Sequence, residues 1–580
     1  MKSWPLEVWA PQADKVEAVV AEERITMHQN PDKPGWWLSE THYLAGTRYG
    51  FILDDEGPFP DPRSPRQPYG IDWLSCLVDH TEFAWTDDRW SPPPPEQAVI
   101  YELHVGTFSE EGTFEGAIQH LDHLVRLGIT HIELLPVAGF PGERNWGYDC
   151  VSIYAPNEVY GGPDGLKSLI DACHANGLGV IVDVIYNHMG AEGNYAPRFG
   201  PYFTSKYSTP WGEGPNLDGD QSEEARAFFI DNALMWLRDY HADGLRFDAI
   251  DKVTDNSEIH FLVELREAVD RLVEETGRTR LLIAESAAND PIYVKPVDEG
   301  GYGTNAQWAD DIHHAMHSFF TGERDNYYAD FGELDHLAKA YRQGFVYDGC
   351  FSVYRGEPHG KSPDGLPPSS FLACLQNHDQ TGNRPHGERF HHLPEVGHLE
   401  QKIASALLLL SPFTPMIFMG EEWAASTPFE FFSDHQDPEI AAAVGAGRKE
   451  EFGGGMWNVE TIPDPQDEGC FLRSKLKWDE RFEEEHRGML GWYSQLLNLR
   501  KENGPLTEHA RVKTDPHGRW LRMTVGRFDV LAALTKGNIV VPSTIGSDYS
   551  LQLSAGVVHT LDDGSLEFNG RGVAVIRKDR

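Results

Sequence analysis

The chain has 580 residues, with 49 Lys and Arg against 91 Asp and Glu, for a formal net charge of −42 at neutral pH. So acidic a surface argues against a nucleic-acid partner, which needs a basic face to displace counterions. The 40% hydrophobic and 11% aromatic content argues against a disordered chain and for two to four domains. Six cysteines, at 76, 150, 173, 350, 374 and 470, form no CxxC pair and no even cluster, so neither a zinc site nor a secreted disulfide framework is expected, and a reducing compartment fits. Pro5, Glu7 and Pro11 interrupt the N-terminal stretch where a signal peptide needs an apolar run. Ser411, Pro412 and Pro415 cut the longest apolar run, 403–419, so no membrane span is expected and the protein reads as cytoplasmic.

In chain order, residues 1–90 alternate short hydrophobic runs with Pro, Gly and Asp-Asp turns, the pattern of a small N-terminal β-sandwich. Ser91 and the four prolines 92–95 read as an extended, semi-rigid linker. From 96 to 503 strand-like and amphipathic stretches alternate. Strands are predicted at 99–105, 131–136, 179–186, 244–249, 280–285, 371–376 and 416–420, and helices at 114–127, 166–175, 223–240, 257–275, 399–410 and about 488–501. This α/β alternation predicts a catalytic (β/α)8 TIM barrel with insertions. A doubly wound sheet, the runner-up, would put a Gly-rich phosphate loop after an early strand, and none is present there. Residues 504–580 return to strand-like pieces, at 520–525, 530–534 and 573–576, and predict a small C-terminal β-domain.

The chemistry gathers where the predicted strands end. The third ends in Asp183, followed by Asn187 and His188; the fourth carries Arg246 and Asp248 at i, i+2, on one face; the fifth ends in Glu285; and the run after 371 ends in His378 and Asp379. Barrel active sites occupy the C-terminal strand face, so these side chains are expected to converge. Two carboxylates on neighbouring strands, Asp248 and Glu285, suit a retaining glycosidase, which needs a nucleophile and an acid/base at roughly 5 Å. Arg246 beside Asp248 favours its ionised form, whereas the apolar run before Glu285 favours a retained proton. Asp379 supplies a third carboxylate for the sugar hydroxyls. A lone strand-end acid is usually a cap or a salt-bridge partner; it is the set, in this order, that is specific. His313, His314 and His317 lack a HExxH pattern, which favours solvent or sugar contacts over a metal. Most aromatics belong to the core, but Trp146 and Tyr148, in the Gly-rich loop after the second strand, are placed to meet a sugar face.

Four short stretches, DVIYNH at 183–188, GLRFDAI at 244–250, IAES at 283–286 and QNHDQ at 376–380, resemble the four signature regions of the α-amylase superfamily of retaining glycoside hydrolases. The resemblance covers residues 96–503 and implies Asp248 as nucleophile, Glu285 as acid/base and Asp379 as transition-state stabiliser. It further implies that Asp183, His188, Arg246 and His378 contact the sugar at the cleaved bond, with Tyr148 stacked below it. Asp251 and the loops 308–314 and 380–384 (Asp310, Asp311, His313, His314, Gln380, Asn383 and Arg384) are implied as further substrate contacts. The region before the barrel is similar to the N-terminal module of branching enzymes, debranching enzymes and trehalohydrolases. The stretches at 100–118, 198–203, 208–219, 306–323 and 371–389 are most similar to the trehalose-releasing branch, which implies hydrolysis of the α-1,4 bond next to the terminal trehalose of a maltooligosaccharide. A branching enzyme usually carries two adjacent glutamates where this chain reads Ala284-Glu285-Ser286. A non-catalytic glucan-binding protein would have lost a carboxylate, and none is lost. Lys252 is followed by Val253 rather than the His of calcium-dependent amylases, so no metal or cofactor is expected. A monomer is expected.

Overall fold

The structure, a computed structural model, describes residues 2–452, 459–543 and 549–578. Eight parallel strands close into a barrel in chain order: β1 (Ile100–Leu103), β2 (His131–Leu134), β3 (Gly179–Val184), β4 (Gly244–Phe247), β5 (Leu281–Ala284), β6 (Ala306–Trp308), β7 (Phe371–Cys374) and β8 (Thr414–Phe418), which pairs back onto β1. Covered on both faces, they are buried throughout, which is why they read as near-continuous apolar runs. The TIM barrel is thus as predicted, with three differences in its parts.

The seven predicted strands are joined by an eighth, β6. The chain from β5 to β6 contains only 3-10 turns, at Pro291–Tyr293 and Val297–Glu299, in place of a barrel helix. The single helix expected at 114–127 is two, Phe114–Ile118 and Leu121–Leu127. The break turns the His120 ring flat onto Trp478, with centroids 3.8 Å apart.

Inside the barrel the side chains are layered. Ile100, Ile181, Ile283, Trp308, Leu372 and Met416 pack into an apolar floor, each contributing roughly 1.5–3 kcal/mol by burial. Glu102 and Asp183 stand two residues beyond Ile100 and Ile181, on the same strand faces, and like Glu133 and Arg246 are buried. The register sets Glu102 opposite Glu133 and Asp183 opposite Arg246. A charged layer therefore sits near the C-terminal ends of the strands.

The N-terminal region forms two sheets, one of Ser3–Trp9, Trp36–Leu44 and His28–Gln29, the other built on Glu23–Thr26, Val16–Val20, Arg48–Leu53 and Glu56–Phe59. The C-terminal region forms a five-stranded and a three-stranded sheet between Arg511 and Lys578. Between β3 and the helix Ser222–Arg238, a hairpin of Phe203–Thr209 and Gly212–Pro215 projects Trp211 at its tip. The six cysteines are free thiols. Among the described residues, no helix is long and apolar enough to cross a membrane.

A buried ionic latch ties the segment before the proline run to the base of the barrel. His174 donates from Nδ1 to Asp87 and from Nε2 to Asp243, each at 2.9 Å, while Trp90 stacks on its ring and donates to Asp243. Arg278 and His241 also reach Asp87. Burial works against charging His174, but the two carboxylates outweigh it and raise its pKa, and the same contacts hold Asp87 and Asp243 below the usual carboxylate range. The histidine contribution is complete below its unfolded value of about 6.5 and is lost as pH rises through the raised folded value; the aspartate contribution is complete above about 3.9 and is lost as pH falls through the lowered one. The latch is therefore expected to stabilise fully between about pH 4 and 6.5. His174→Ala, which removes the cation shared by two buried carboxylates and leaves Asp87 with Arg278 and His241 and Asp243 with Trp90, is expected to cost about 3–5 kcal/mol in denaturant unfolding in that window. A loss below about 1 kcal/mol would contradict this reading of the latch.

Candidate active site

Arg246, 1% exposed, organises the C-terminal mouth of the barrel. Its Nη1 donates to both oxygens of Asp183, at 2.9 and 2.8 Å, and to Asp248 Oδ1 at 2.8 Å, while Nη2 lies 2.8 Å from Glu285 Oε2. Strand geometry dictates this arrangement. Asp183 and Arg246 are register partners on β3 and β4, Asp248 leaves β4 two residues after Arg246, and Glu285 leaves β5 beside it, its N–H bonded to the Phe247 carbonyl. The guanidinium carbon sits 4.5 Å from the centroid of the Trp308 ring, so the apolar floor props the cation from below.

Asp248 is fixed from its other side by Asn187, whose Nδ2 donates to Asp248 Oδ2 and to its backbone carbonyl, both at 2.7 Å. Ala249 follows in a left-handed conformation, φ 36°, unusual for a residue with a Cβ. That turn aims its N–H at Glu285 Oε2, 2.6 Å away. Burial pushes the Glu285 carboxyl well above the usual range; Arg246 opposes the shift, and the charges of Asp248 and Asp379 reinforce it. Glu285 therefore holds a proton more tightly than a free carboxyl does, while Asp248 is held by cationic and amide donors.

Asp248, Glu285 and Asp379 line one cleft of about 920 Å³, together with Trp146, Tyr148, His188, Arg246, Asp251, His378 and Asn383. Asp183 lies just beneath, bonded to the Tyr148 hydroxyl at 2.7 Å, and burial raises its pKa to about 6. Tyr148 stacks on His378, with centroids 5.1 Å apart. Trp146 presents a wall rather than a free platform, because its ring stacks on Phe429 and its Nε1 donates to the Glu430 carbonyl. Asn383 donates to Asp379, and Asp251 pairs with Lys252.

Several expected contacts face elsewhere. The Asp311 carboxylate accepts from Asn289 and from the N–H groups of Val346 and Tyr347, which makes it a loop clasp. Both ring nitrogens of His313 are engaged, by the Leu375 carbonyl and the Tyr328 hydroxyl, so it is a core histidine. Arg384 forks onto Glu323 at 2.9 Å from each terminal nitrogen. Asp310 and His314 border a separate hollow of about 20 Å³; burial and the charges of Asp379 and Asp311 lift Asp310 to about 7. Gln380 is buried behind the turn, its N–H on Asn377.

Three residues that complete the site, Glu102, Trp211 and Arg448, escape sequence reasoning, and the part played by a fourth, Asn187, shows only in the structure. Glu102, on β1, holds His378 through its Nδ1 at 2.6 Å and its N–H at 2.9 Å. Burial opposes the charged ring, but Glu102 outweighs it and raises the His378 pKa. Asn187 stands inside DVIYNH without an assigned part. Trp211, half exposed, stacks on His188 at the rim of the cleft. Arg448, on the helix Pro438–Phe452, donates to the Gly382 and Arg384 carbonyls and so closes the far wall. The signals were slight: one acid inside an apolar strand for Glu102, and one aromatic in a turn for Trp211. Among the described residues, no group of three or more His, Cys, Asp or Glu side chains is arranged around a metal position.

The chain resembles known proteins over nearly its whole length. A family model described as the alpha amylase catalytic domain matches residues 82–209. The malto-oligosyltrehalose trehalohydrolase of Arthrobacter ramosus is 46% identical over 98% of this chain and 99% of its own. A crystal structure of a Salmonella typhimurium protein superposes with a TM-score of 0.89 at 36% identity, covering 99% of this chain and 97% of that one. A 1,4-alpha-glucan branching enzyme of Corynebacterium jeikeium is 32% identical over only 52% of this chain and 47% of its own. By near full-length identity and a shared catalytic barrel, the chain belongs to the malto-oligosyltrehalose trehalohydrolase family of α-amylase-type glycoside hydrolases.

Proposed function

We propose that the protein hydrolyses the α-1,4-glucosidic bond next to the terminal trehalose unit of maltooligosyltrehalose and releases trehalose, by a retaining double displacement. The observation that carries the chemistry is the fork of Arg246 between Asp248 and Glu285 at the floor of the cleft. Asp248 attacks the anomeric carbon as Glu285 gives its proton to the leaving glycosidic oxygen; Glu285, now a carboxylate, then takes a proton from the water that cleaves the Asp248 ester. Asp379 accepts sugar hydroxyls as the ring flattens and positive charge develops. Tyr148, over the Asp183–Arg246 pair, offers a face to the sugar, and Trp211 extends that surface to the rim. No step calls for a cofactor, and the free thiols suit a reducing, cytoplasmic setting.

Product analysis tests the substrate. Maltooligosyltrehalose is expected to yield trehalose and the shortened oligosaccharide, and a plain maltooligosaccharide of equal length to be cut much more slowly; equal cleavage of both, or rejoined chains, would overturn the trehalose assignment. Asp248→Ala and Glu285→Gln are each expected to lower kcat by at least roughly 10⁴-fold with unchanged thermal unfolding, and substantial residual turnover in either contradicts its role. Because Glu285 must be protonated for the first step and its pKa is raised, activity is expected to hold through neutrality and to fall as Glu285 loses its proton. On a substrate with an activated leaving group, Glu285→Gln is expected to lose that alkaline limb; a surviving limb assigns it to another group. Glu102→Gln is expected to make the His378 ring lose its proton at lower pH than in the parent, read from its imidazole resonances.

A further inference from the structure

Back to back with the catalytic cleft lies a second cavity, of about 660 Å³, within the size range of small-ligand sites. One wall is residues 67–73, which lead out of the N-terminal sheets; the opposite wall is the loop after β2, 139–143. Tyr69 and Trp73 line it and are 60% and 63% exposed, large rings that cover no core. Arg48 fixes the Tyr69 ring by lying 5.6 Å from its centroid and reaching its hydroxyl.

The two cavities share their partition. In the loop after β2, Gly142 and Glu143 face the second cavity, whereas Asn145 and Tyr148 face the cleft. After β8, Asp434 and Gln436 face the second cavity, and Phe431 faces the cleft. The partition is stiff: the Glu143 N–H and Arg144 both donate to Asp434, at 2.8 and 2.9 Å. Gly142, at φ +71°, leaves only 2.1 Å between an added Cβ and the Asp434 carbonyl, so the two loops meet backbone to backbone.

We propose that this cavity is a second glucan-binding site, which holds a stretch of α-1,4-glucan beside the cleft. The identity of the sugar rests on the function proposed for the cleft; the cavity supplies the chemistry. Exposed aromatic faces stack on the apolar faces of glucose units, and the Glu143 carboxylate and Gln436 amide offer hydrogen-bond partners to hydroxyl groups. Acidic lining from Asp72, Glu143 and Glu192 disfavours anionic ligands and leaves a neutral, hydroxyl-rich chain as the fitting occupant.

Affinity electrophoresis of the full chain through gels containing soluble amylose tests this directly. The double variant Tyr69→Ala/Trp73→Ala is expected to bind amylose roughly three- to tenfold more weakly than the parent. Because both side chains are exposed, its thermal unfolding is expected to match the parent's, which keeps a loss of affinity from being a loss of fold. Parent-like affinity in the double variant, or no retardation of the parent itself, overturns the site. Trehalose release is scored separately, so a variant that loses amylose affinity in a protein that fails to release trehalose overturns the proposed function and leaves the glucan site standing.

Discussion

One buried guanidinium sets the terms for everything around it. Taking Arg246 out of water is tolerable only with well-placed anionic partners, and the barrel supplies three, Asp183, Asp248 and Glu285, from three adjacent strands. Three carboxylates around one cation leave an excess of negative charge in a place where charge is poorly solvated. Burial sets the Glu285 carboxyl well above the usual range and raises Asp183 to about 6, so the excess falls on groups that keep a proton more readily than a free carboxyl. A division between two carboxylates, Glu285 raised by burial and Asp248 held by Arg246 and Asn187, thus follows from where the strands end. Trp308 below and Tyr148 above hold the guanidinium in one geometry, so the division is built in before substrate arrives.

The rest of the fold supports that arrangement from outside. The apolar floor closes the barrel beneath the charged layer, and the His174 latch fastens the N-terminal segment to its base. The insertions do the shaping. The hairpin after β3 brings Trp211 to one rim of the cleft, and the helix Pro438–Phe452 brings Arg448 to the other. A second charged pair, Glu102 with His378, links β1 to the turn after β7 and so couples Asp379 to the barrel wall.

Much of this was legible in the sequence, for identifiable reasons. Seven barrel strands were visible because short apolar stretches, interrupted in β1, β2 and β4 by a single buried charge, alternate with amphipathic helical segments; β6, three residues long, is too short to show a pattern. The candidate carboxylates were visible because Asp248 and Glu285 directly follow β4 and β5, and Asp379 lies in the short turn after β7, so strand order brings them to one end of the barrel. Residues whose role depends on a partner far along the chain were not. Glu102 needs His378, 276 positions away, to mean anything. Conversely, Asp311, His313 and Arg384 sit in promising stretches, yet local loop packing turns them toward their own scaffold. Sequence proximity to a motif did not report the direction of a side chain.

In the proposed mechanism Arg246 and Asn187 hold Asp248 as the nucleophile while Glu285 keeps the proton. Trapping the glycosyl-enzyme with a fluorinated, slowly turned-over maltosyl fluoride, followed by peptide mass spectrometry, tests it most directly. One sugar label, on Asp248, and product of retained anomeric configuration are expected. A label on Glu285, or an inverted product with no covalent species, would contradict it.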